Sequence, residues 1–183
     1  ENLQGRQAKD LPLHHVHYIS NQVLVALDSD VVETPESQVE WLTTQLSTAP
    51  VGSFKTAMYH APGFPSYRPY SDPESTGVRT HFVPVFEQYG LSVGFENHDH
   101  AYKRTKLLIN GAESPNGILY IGDGAMGVKA RTSVSMTGKD YLANLQGKQF
   151  FFKAQTNNAA GNVQFTAVDV DNVAFDTFTA NNR

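Results

Sequence analysis

Two histidines at i, i+2, His98 and His100, stand in the stretch Glu96-Asn97-His98-Asp99-His100-Ala101-Tyr102-Lys103-Arg104, directly after the apolar run at residues 91–95. Residues two apart on an extended chain point the same way, and a loop lets such a pair splay toward two ions instead of one. A second, mostly apolar run at residues 53–59 ends in a lone histidine, His60, followed by a Pro/Gly loop. Imidazole serves Zn, Fe and Cu alike, so the spacing points to metal binding without naming the metal. His-x-His also occurs by chance on exposed loops, and the rest of the neighbourhood has to raise it above that.

The elements that must position these side chains follow from periodicity and punctuation. Residues 14–30 read as two β-rich runs broken at Asn21, a hairpin or a bent strand. His14, His15 and His17 cluster there, with His15 and His17 on one face, but the segment precedes a strand instead of leaving one, so they read as half-exposed strand histidines. Asp28, just after the strand, reads as structural or as a residue supporting the site from behind. Thr34-Pro35-Glu36 opens a helix, with Val39, Leu42 and Leu46 as its buried stripe and Trp41 at the edge. The run 53–59 suits a strand buried on both faces of a parallel sheet. That leaves His60 at a carboxyl end, where open α/β sheets hold ligands.

The segment 61–77, with four prolines and with Phe64, Tyr67 and Tyr70, reads as a long loop suited to a substrate wall. Residues 78–90 read as one helix, kinked or delayed at Pro84, stopped by Gly90, with His81 on its surface. The strand 91–96 then delivers His98 and His100. A turn at Asn110-Gly111 and a strand at 117–124 follow, and from Val128 onward the chain becomes β-rich, with a hairpin link at Asn162-Val163 after Gly161.

The order strand, His60, loop, helix, strand, His98, His100 resembles the C-terminal half of the calcineurin-like metallophosphoesterases. It is most similar to the purple acid phosphatase-like branch, which ends one strand in H-x-P and the next in GHxHxYxR. The resemblance runs from His17 to Val128; His60, His98, His100, Tyr102 and Arg104 fall on the pattern, while Asn97 stands where the family usually has Gly. Asn also tolerates a left-handed backbone. The resemblance implies an α/β fold, the C-terminal half of an αββα sandwich ending in a β-rich segment. It implies metal ligands His60, His98 and His100, with His60 and His98 on one ion and His100 on the other, and two divalent or trivalent ions, Fe, Zn or Mn. Plant-type members carry a phosphate-contacting histidine in the loop after His60; here Arg68 and Tyr70 stand in that loop, and with Tyr102 they are the candidate substrate-binding residues.

Three neutral imidazoles cannot balance two close cations, and a binuclear site needs carboxylates as well. In the family these come from upstream motifs, D-x-H, GD-x-x-D or GD-x-x-Y, and GNH-D/E, which this sequence does not contain. Local acids that could serve instead are Asp28, Asp99 and Asp123. The expected organisation is a tag, linker remnant or loop at residues 1–8, where Glu1-Asn2-Leu3-Gln4-Gly5 resembles a protease-cleavable linker, then half a metallophosphoesterase domain at 9–128, then its closing β-rich part at 129–183. Such a half exposes an apolar sheet edge and is expected to pair with the N-terminal half of the same domain or with a second copy.

The expected activity is hydrolysis of a phosphoric ester, acid-phosphatase-like on monoesters. Alternatives are a phosphodiesterase or nucleotide hydrolase of the same fold, a non-catalytic fragment or binding scaffold, and, with least support, a cell-surface β-module. A net charge of −4 over 183 residues, with no basic cluster interleaved with aromatics, argues against a nucleic-acid binder. No apolar run reaches the ~20 residues of a membrane span, and the absence of cysteine removes disulfides and thiolate metal sites. The family resemblance favours a secreted or periplasmic location.

Overall fold

The computed structural model describes residues 13–29, 32–122 and 124–183. The expectations for residues 1–8 and for Asp123 fall outside them.

The chain starts as a hairpin, β1 (His15–Ile19) against β2 (Gln22–Ala26), turning at Ser20 and Asn21. Val23 and Val25 alternate inward on β2, and β2 then pairs in parallel with β3 (Phe54–Met58). Between them the chain makes a 3₁₀ turn (Glu36–Gln38) and helix α1 (Val39–Ser47). The Thr34 hydroxyl accepts from the Ser37 N–H at 3.3 Å, and Leu42 and Leu46 are buried as their spacing requires.

Helix α2 (Pro73–His81) begins earlier than the sequence reading placed it. Asp72 caps it by accepting from the Ser75 N–H at 3.2 Å, and Pro73 occupies the first turn, where its missing N–H costs nothing. The loop after His60 is therefore shorter than 61–77. The single helix expected over 78–90 is two, because α3 (Val83–Gln88) restarts with Pro84 in its own first turn. Val78, Phe82, Val85 and Phe86 still share the buried side.

Strand β4 (Val93–Glu96) pairs in parallel with β3 and with β7 (Ile118–Gly122). β5 (Tyr102–Ile109) runs antiparallel to β7, and its outer edge takes both β6 (Ala112–Glu113) and β8 (Leu142–Gln146). The eight-stranded sheet has the order β1-β2-β3-β4-β7-β5-β6, with β8 also on β5. β8 was not anticipated, since Leu-Ala-Asn-Leu-Gln carries no clear alternation. β9 (Phe150–Asn157), β10 (Asn162–Asp169) and β11 (Ala174–Asn181) make a three-stranded antiparallel sheet. Its first turn lies at 158–161, so Asn162 already pairs with Asn157 instead of linking the hairpin.

Three layers result. α1, α2 and α3 cover one face of the large sheet around Val25, Leu42, Tyr59, Phe82, Phe86 and Tyr120. The small sheet covers part of the other, with Phe165 and Val163 packed on Phe54, Val93, Leu119 and Ile121. Phe95, Phe165 and Phe178 mesh there at ring separations of 5.9 and 5.6 Å. Full burial of a phenylalanine side chain contributes about 1.5–3 kcal/mol, which Phe165 gains, while Phe95 and Phe178 are only partly buried. An apolar cavity of about 220 Å³ remains between Ile19, Leu24, Met58 and Phe165, with Ile19 64% and Met58 44% exposed. No helix among the described residues is long and apolar enough to cross a membrane.

Candidate functional site

β3 and β4 run side by side in the same direction, with Met58 opposite Phe95, so the chain leaves both at the same sheet end. Two backbone bonds continue the pairing beyond the strands, Tyr59 N–H to Phe95 C=O at 3.1 Å and Asn97 N–H to His60 C=O at 3.0 Å. The Asn97 amide donates to the Tyr59 carbonyl at 2.8 Å and ties the same two segments again. His60 and His98, 38 residues apart in sequence, consequently meet: His98 Nδ1 lies 2.5 Å from His60 Nε2, with the rings edge to face at 4.5 Å.

The turn that aims them is left-handed at His98 (φ 87°) and His100 (φ 56°), not at Asn97, whose contribution is its side-chain amide. A non-glycine residue in this region costs on the order of 1–3 kcal/mol and persists only where the surroundings hold it. Those surroundings include the last residues of β7 and its exit. A Cβ on Gly122 would stand 2.5 Å from the Glu96 carbonyl, and one on Gly124 would stand 2.9 Å from the His98 nitrogen. These glycines let the backbone of β7 and its exit pack close against the histidine turn.

Two buried carboxylates lash the 61–68 loop to the histidine segment, and sequence reasoning missed the work of both. Glu96 accepts from the Tyr59 hydroxyl at 2.8 Å, the Gly63 N–H at 2.7 Å and the Phe64 N–H at 3.3 Å. Its charge is balanced by Lys103 Nζ at 2.5 Å, which also donates to the Phe64 carbonyl; neither side chain reaches solvent. Burial, and then the Glu96 charge beside it, push the Tyr59 phenol well above its ordinary range, so it remains a donor. Asp99 accepts from the Ser66 N–H at 2.7 Å, the Tyr67 N–H at 2.8 Å and Arg68 Nη1 at 2.7 Å. Burial alone would raise its pKa, but the Tyr67 N–H, the Lys103 charge, Arg68 and the Ser66 N–H together hold it below the usual carboxylate range. A strand ending in Glu with Lys seven residues later was the available signal, yet either residue reads equally well as solvated.

The other candidates lie as follows. His100 faces a pocket shared with Tyr67 and residues 129–133, and its carbonyl accepts from the Arg131 N–H at 2.8 Å. Arg68 is held by Asp99. Tyr70 packs with Tyr141 at 5.6 Å, and the Arg79 guanidinium lies 3.7 Å over its ring. Tyr102 is buried, its hydroxyl donating to Asp176 at 2.5 Å, and burial and then that carboxylate push its pKa far up. Arg104, two residues on, also grips Asp176, at 2.8 Å. Asp28 accepts from the Val32 and Glu33 N–H groups, both at 2.8 Å, as a structural acid would. Of the N-terminal histidines, His14 packs on Trp41 and pairs with Glu33, and His15 and His17 stack edge to face on the exposed side of β1.

Glu74, in the first turn of α2, lies 3.6 Å from His98 Nε2. At that distance it is a charge contact from a half-exposed side chain and not a hydrogen bond. The Asp72-Pro73 helix start was the signal that places it there.

The fit to a metal ion can be tested on this geometry. Two imidazole nitrogens on one tetrahedral ion stand roughly 3.4 Å apart. The pair at 2.5 Å would therefore part by about 0.9 Å, a small ring rotation. Among the described residues no group of three or more His, Cys, Asp or Glu is arranged to hold an ion. His60 and His98 thus fit as two donors toward one ion and need further ligands, anionic ones above all.

No protein-family model matches the chain. Purple acid phosphatase 15 of Arabidopsis thaliana is 27% identical over 113 residues, which is 60% of this chain and 20% of that protein. Among solved structures, the purple acid phosphatase PPD1 isolated from yellow lupin (Lupinus luteus) seeds matches 91% of this chain and 32% of its own, at a TM-score of 0.68 and 12% identity. GAP50, the anchor in the inner membrane complex of Plasmodium, matches 93% of this chain and 53% of its own, at 0.70 and 14%. The fold is the one these structures share, as the resemblance implied. The chain spans from a fifth to about half the length of the relatives it matches.

Proposed function

We propose that this chain is the C-terminal half of a metal-dependent phosphoric ester hydrolase, acid-phosphatase-like toward monoesters, whose site is completed by an upstream half. The observation that carries the reading is the meeting of His60 Nε2 and His98 Nδ1 at 2.5 Å, beyond the carboxyl ends of two adjacent parallel strands. His60 and His98 would hold one ion and His100 the second. The ions, Fe, Zn or Mn, would supply Lewis-acid charge to the phosphoryl oxygens and activate water. This chain's own work is to aim the imidazoles: Glu96 and Asp99 hold the loop after His60, and Glu74 sets a negative charge beside His98. The carboxylate ligands belong to the missing half. Its docking face would be the part of the large sheet that the small sheet leaves open, where Ile19, Leu24 and Met58 line the apolar cavity.

The test is hydrolysis of an aryl phosphate, with metal content, for the chain alone and joined to an upstream half carrying the carboxylate motifs. The isolated chain is expected to turn over negligibly, and the joined protein to be active. In the joined protein His60→Ala, His98→Ala and His100→Ala should each lower kcat by orders of magnitude with the thermal melt nearly unchanged, while His15→Ala and His81→Ala change neither. Robust turnover by the isolated chain, or loss of activity in His15→Ala matching that in His98→Ala, overturns the reading. A second reading, a binding scaffold without turnover, is supported by the lack of an acid-containing donor group among the described residues and by the likeness to GAP50, a protein named for anchoring. A joined protein that binds no metal and hydrolyses nothing would favour it.

A further inference from the structure

The pocket beside His100 has a composition that metal ligation does not require. It is about 380 Å³, lined by Tyr67, His100 and residues 129–133, and among the described residues no carboxylate is in its walls. Its volume is at the small end of ligand sites, enough for a phosphoryl or diphosphoryl group and too little for a large apolar one.

Arg131 builds the wall. Its backbone N–H donates to the His100 carbonyl at 2.8 Å and its Nε to the Asp99 carbonyl at 3.1 Å, while its guanidinium lies 4.1 Å over the Tyr67 ring. These contacts fix the plane of the fork and leave both terminal amino groups without a hydrogen-bond partner among the described residues. The Asp99 carboxylate accepts from Arg68 and two backbone N–H groups, and Arg131 bonds the Asp99 carbonyl instead. Lys129 adds an exposed ammonium, and Thr132 and Ser133 add hydroxyls. A pre-ordered guanidinium with donors to spare, joined by an ammonium and two hydroxyls, matches phosphate oxygens better than any neutral group.

We infer that this pocket is an anion subsite, taking a second phosphoryl group of the substrate, so that compounds with two phosphoryl groups are favoured over simple monoesters of neutral alcohols. The placing of the first phosphoryl group at the histidines rests on the function proposed above; the pocket's own affinity for phosphoryl oxygens does not.

Inorganic pyrophosphate, titrated into the chain with calorimetry and amide NMR, tests the subsite without turnover. Binding should be saturable, weaken with added salt, and move the resonances of residues 129–133. Losing a charge-assisted bond should raise Kd about tenfold or more in Arg131→Gln, and severalfold in Lys129→Gln, with His15→Ala unchanged. Lys129 is exposed, so its variant keeps the test valid if Arg131→Gln loosens the segment. Absence of saturable binding in the millimolar range overturns the inference. So does binding that survives both cation variants and disappears in His60→Ala, since the anion would then sit on the histidine pair. Pocket binding in a joined protein that hydrolyses no ester leaves the subsite standing and sinks the phosphatase reading instead.

Discussion

Replacing Lys103 by Met removes one charge from a pair that has no access to water. Lys103 Nζ lies 2.5 Å from Glu96 Oε2, and both side chains are 0% exposed. In Lys103→Met the Glu96 carboxylate keeps its three donors, the Tyr59 hydroxyl and the Gly63 and Phe64 N–H groups, but its charge has no counterion, and the Phe64 carbonyl loses its donor. Breaking a buried pair from one side costs about 3–5 kcal/mol. For a chain of 183 residues that corresponds to a fall in Tm of about 6–20 °C. Urea denaturation followed by far-UV circular dichroism and by the fluorescence of Trp41, the single tryptophan, measures it directly. Glu96→Gln should cost a similar amount, and the double variant less than the sum by about 2 kcal/mol, because the second substitution removes the charge that the first stranded. Added salt should leave the gap to wild type unchanged, since ions do not enter the pair. The surface pair Lys106–Glu113 at 3.0 Å, with side chains 37% and 66% exposed, is the contrast: breaking it should cost under about 1 kcal/mol and be salt-sensitive. If Lys103→Met falls within about 1 kcal/mol of wild type, the buried-pair reasoning is wrong.

Asp176 offers a pH test. Burial would raise its pKa, but Arg104, Tyr102 and Asn144 outweigh that and hold it below the ordinary carboxylate value. Its stabilisation is therefore complete above the unfolded pKa of about 3.9 and is lost as pH falls through the lower folded value, so the gap between wild type and Asp176→Asn, about 2 kcal/mol at neutral pH, should narrow only below about pH 4. A gap that widens on acidification would contradict the assignment. Gly122→Ala tests close approach at the site: its Cβ would meet the Glu96 carbonyl at 2.5 Å on a backbone at φ 115°, so a loss of about 2–4 kcal/mol is expected in denaturant melts, and a neutral result would show that the β4–β7 contact gives way easily.

The strands, the stripe of α1 and the three histidines at strand exits were legible because each is written in local periodicity and in residues that only a few settings accommodate. What stayed hidden was of two kinds. Competing local signals hid the start of α2, where the prolines of the segment 61–77 outweighed Asp72 as a cap, although Pro73 is a helix-opening residue in that position. Partners distant in sequence hid the rest: β8 exists because the outer edge of β5 accepts it, nothing local marks Glu96 and Lys103 as a buried pair, and Arg68 and Asp99 read toward substrate and metal until the fold pairs them with each other. The left-handed turn was anticipated at Asn97 from its residue type. The structure puts it at His98 and His100, where interactions with other segments, not propensity, fix the backbone.

The pairing of Met58 with Phe95 has a consequence for how such a site forms and fails. His60 and His98 each lie only a few residues beyond that pair, so their separation is inherited from sheet register. A slip of one residue between β3 and β4 would displace one imidazole from the other by about 3.3 Å and turn alternate side chains to the opposite layer. Their meeting also depends on a non-local contact, because a parallel pair separated by a helical crossover closes a long loop before any contact rewards it. The juxtaposed histidines thus report correct strand alignment, and substitutions at Ala57, Gly94 or Leu119, which lie within the paired strands and not at the histidines, are expected to disturb the site by shifting register while leaving secondary structure content intact.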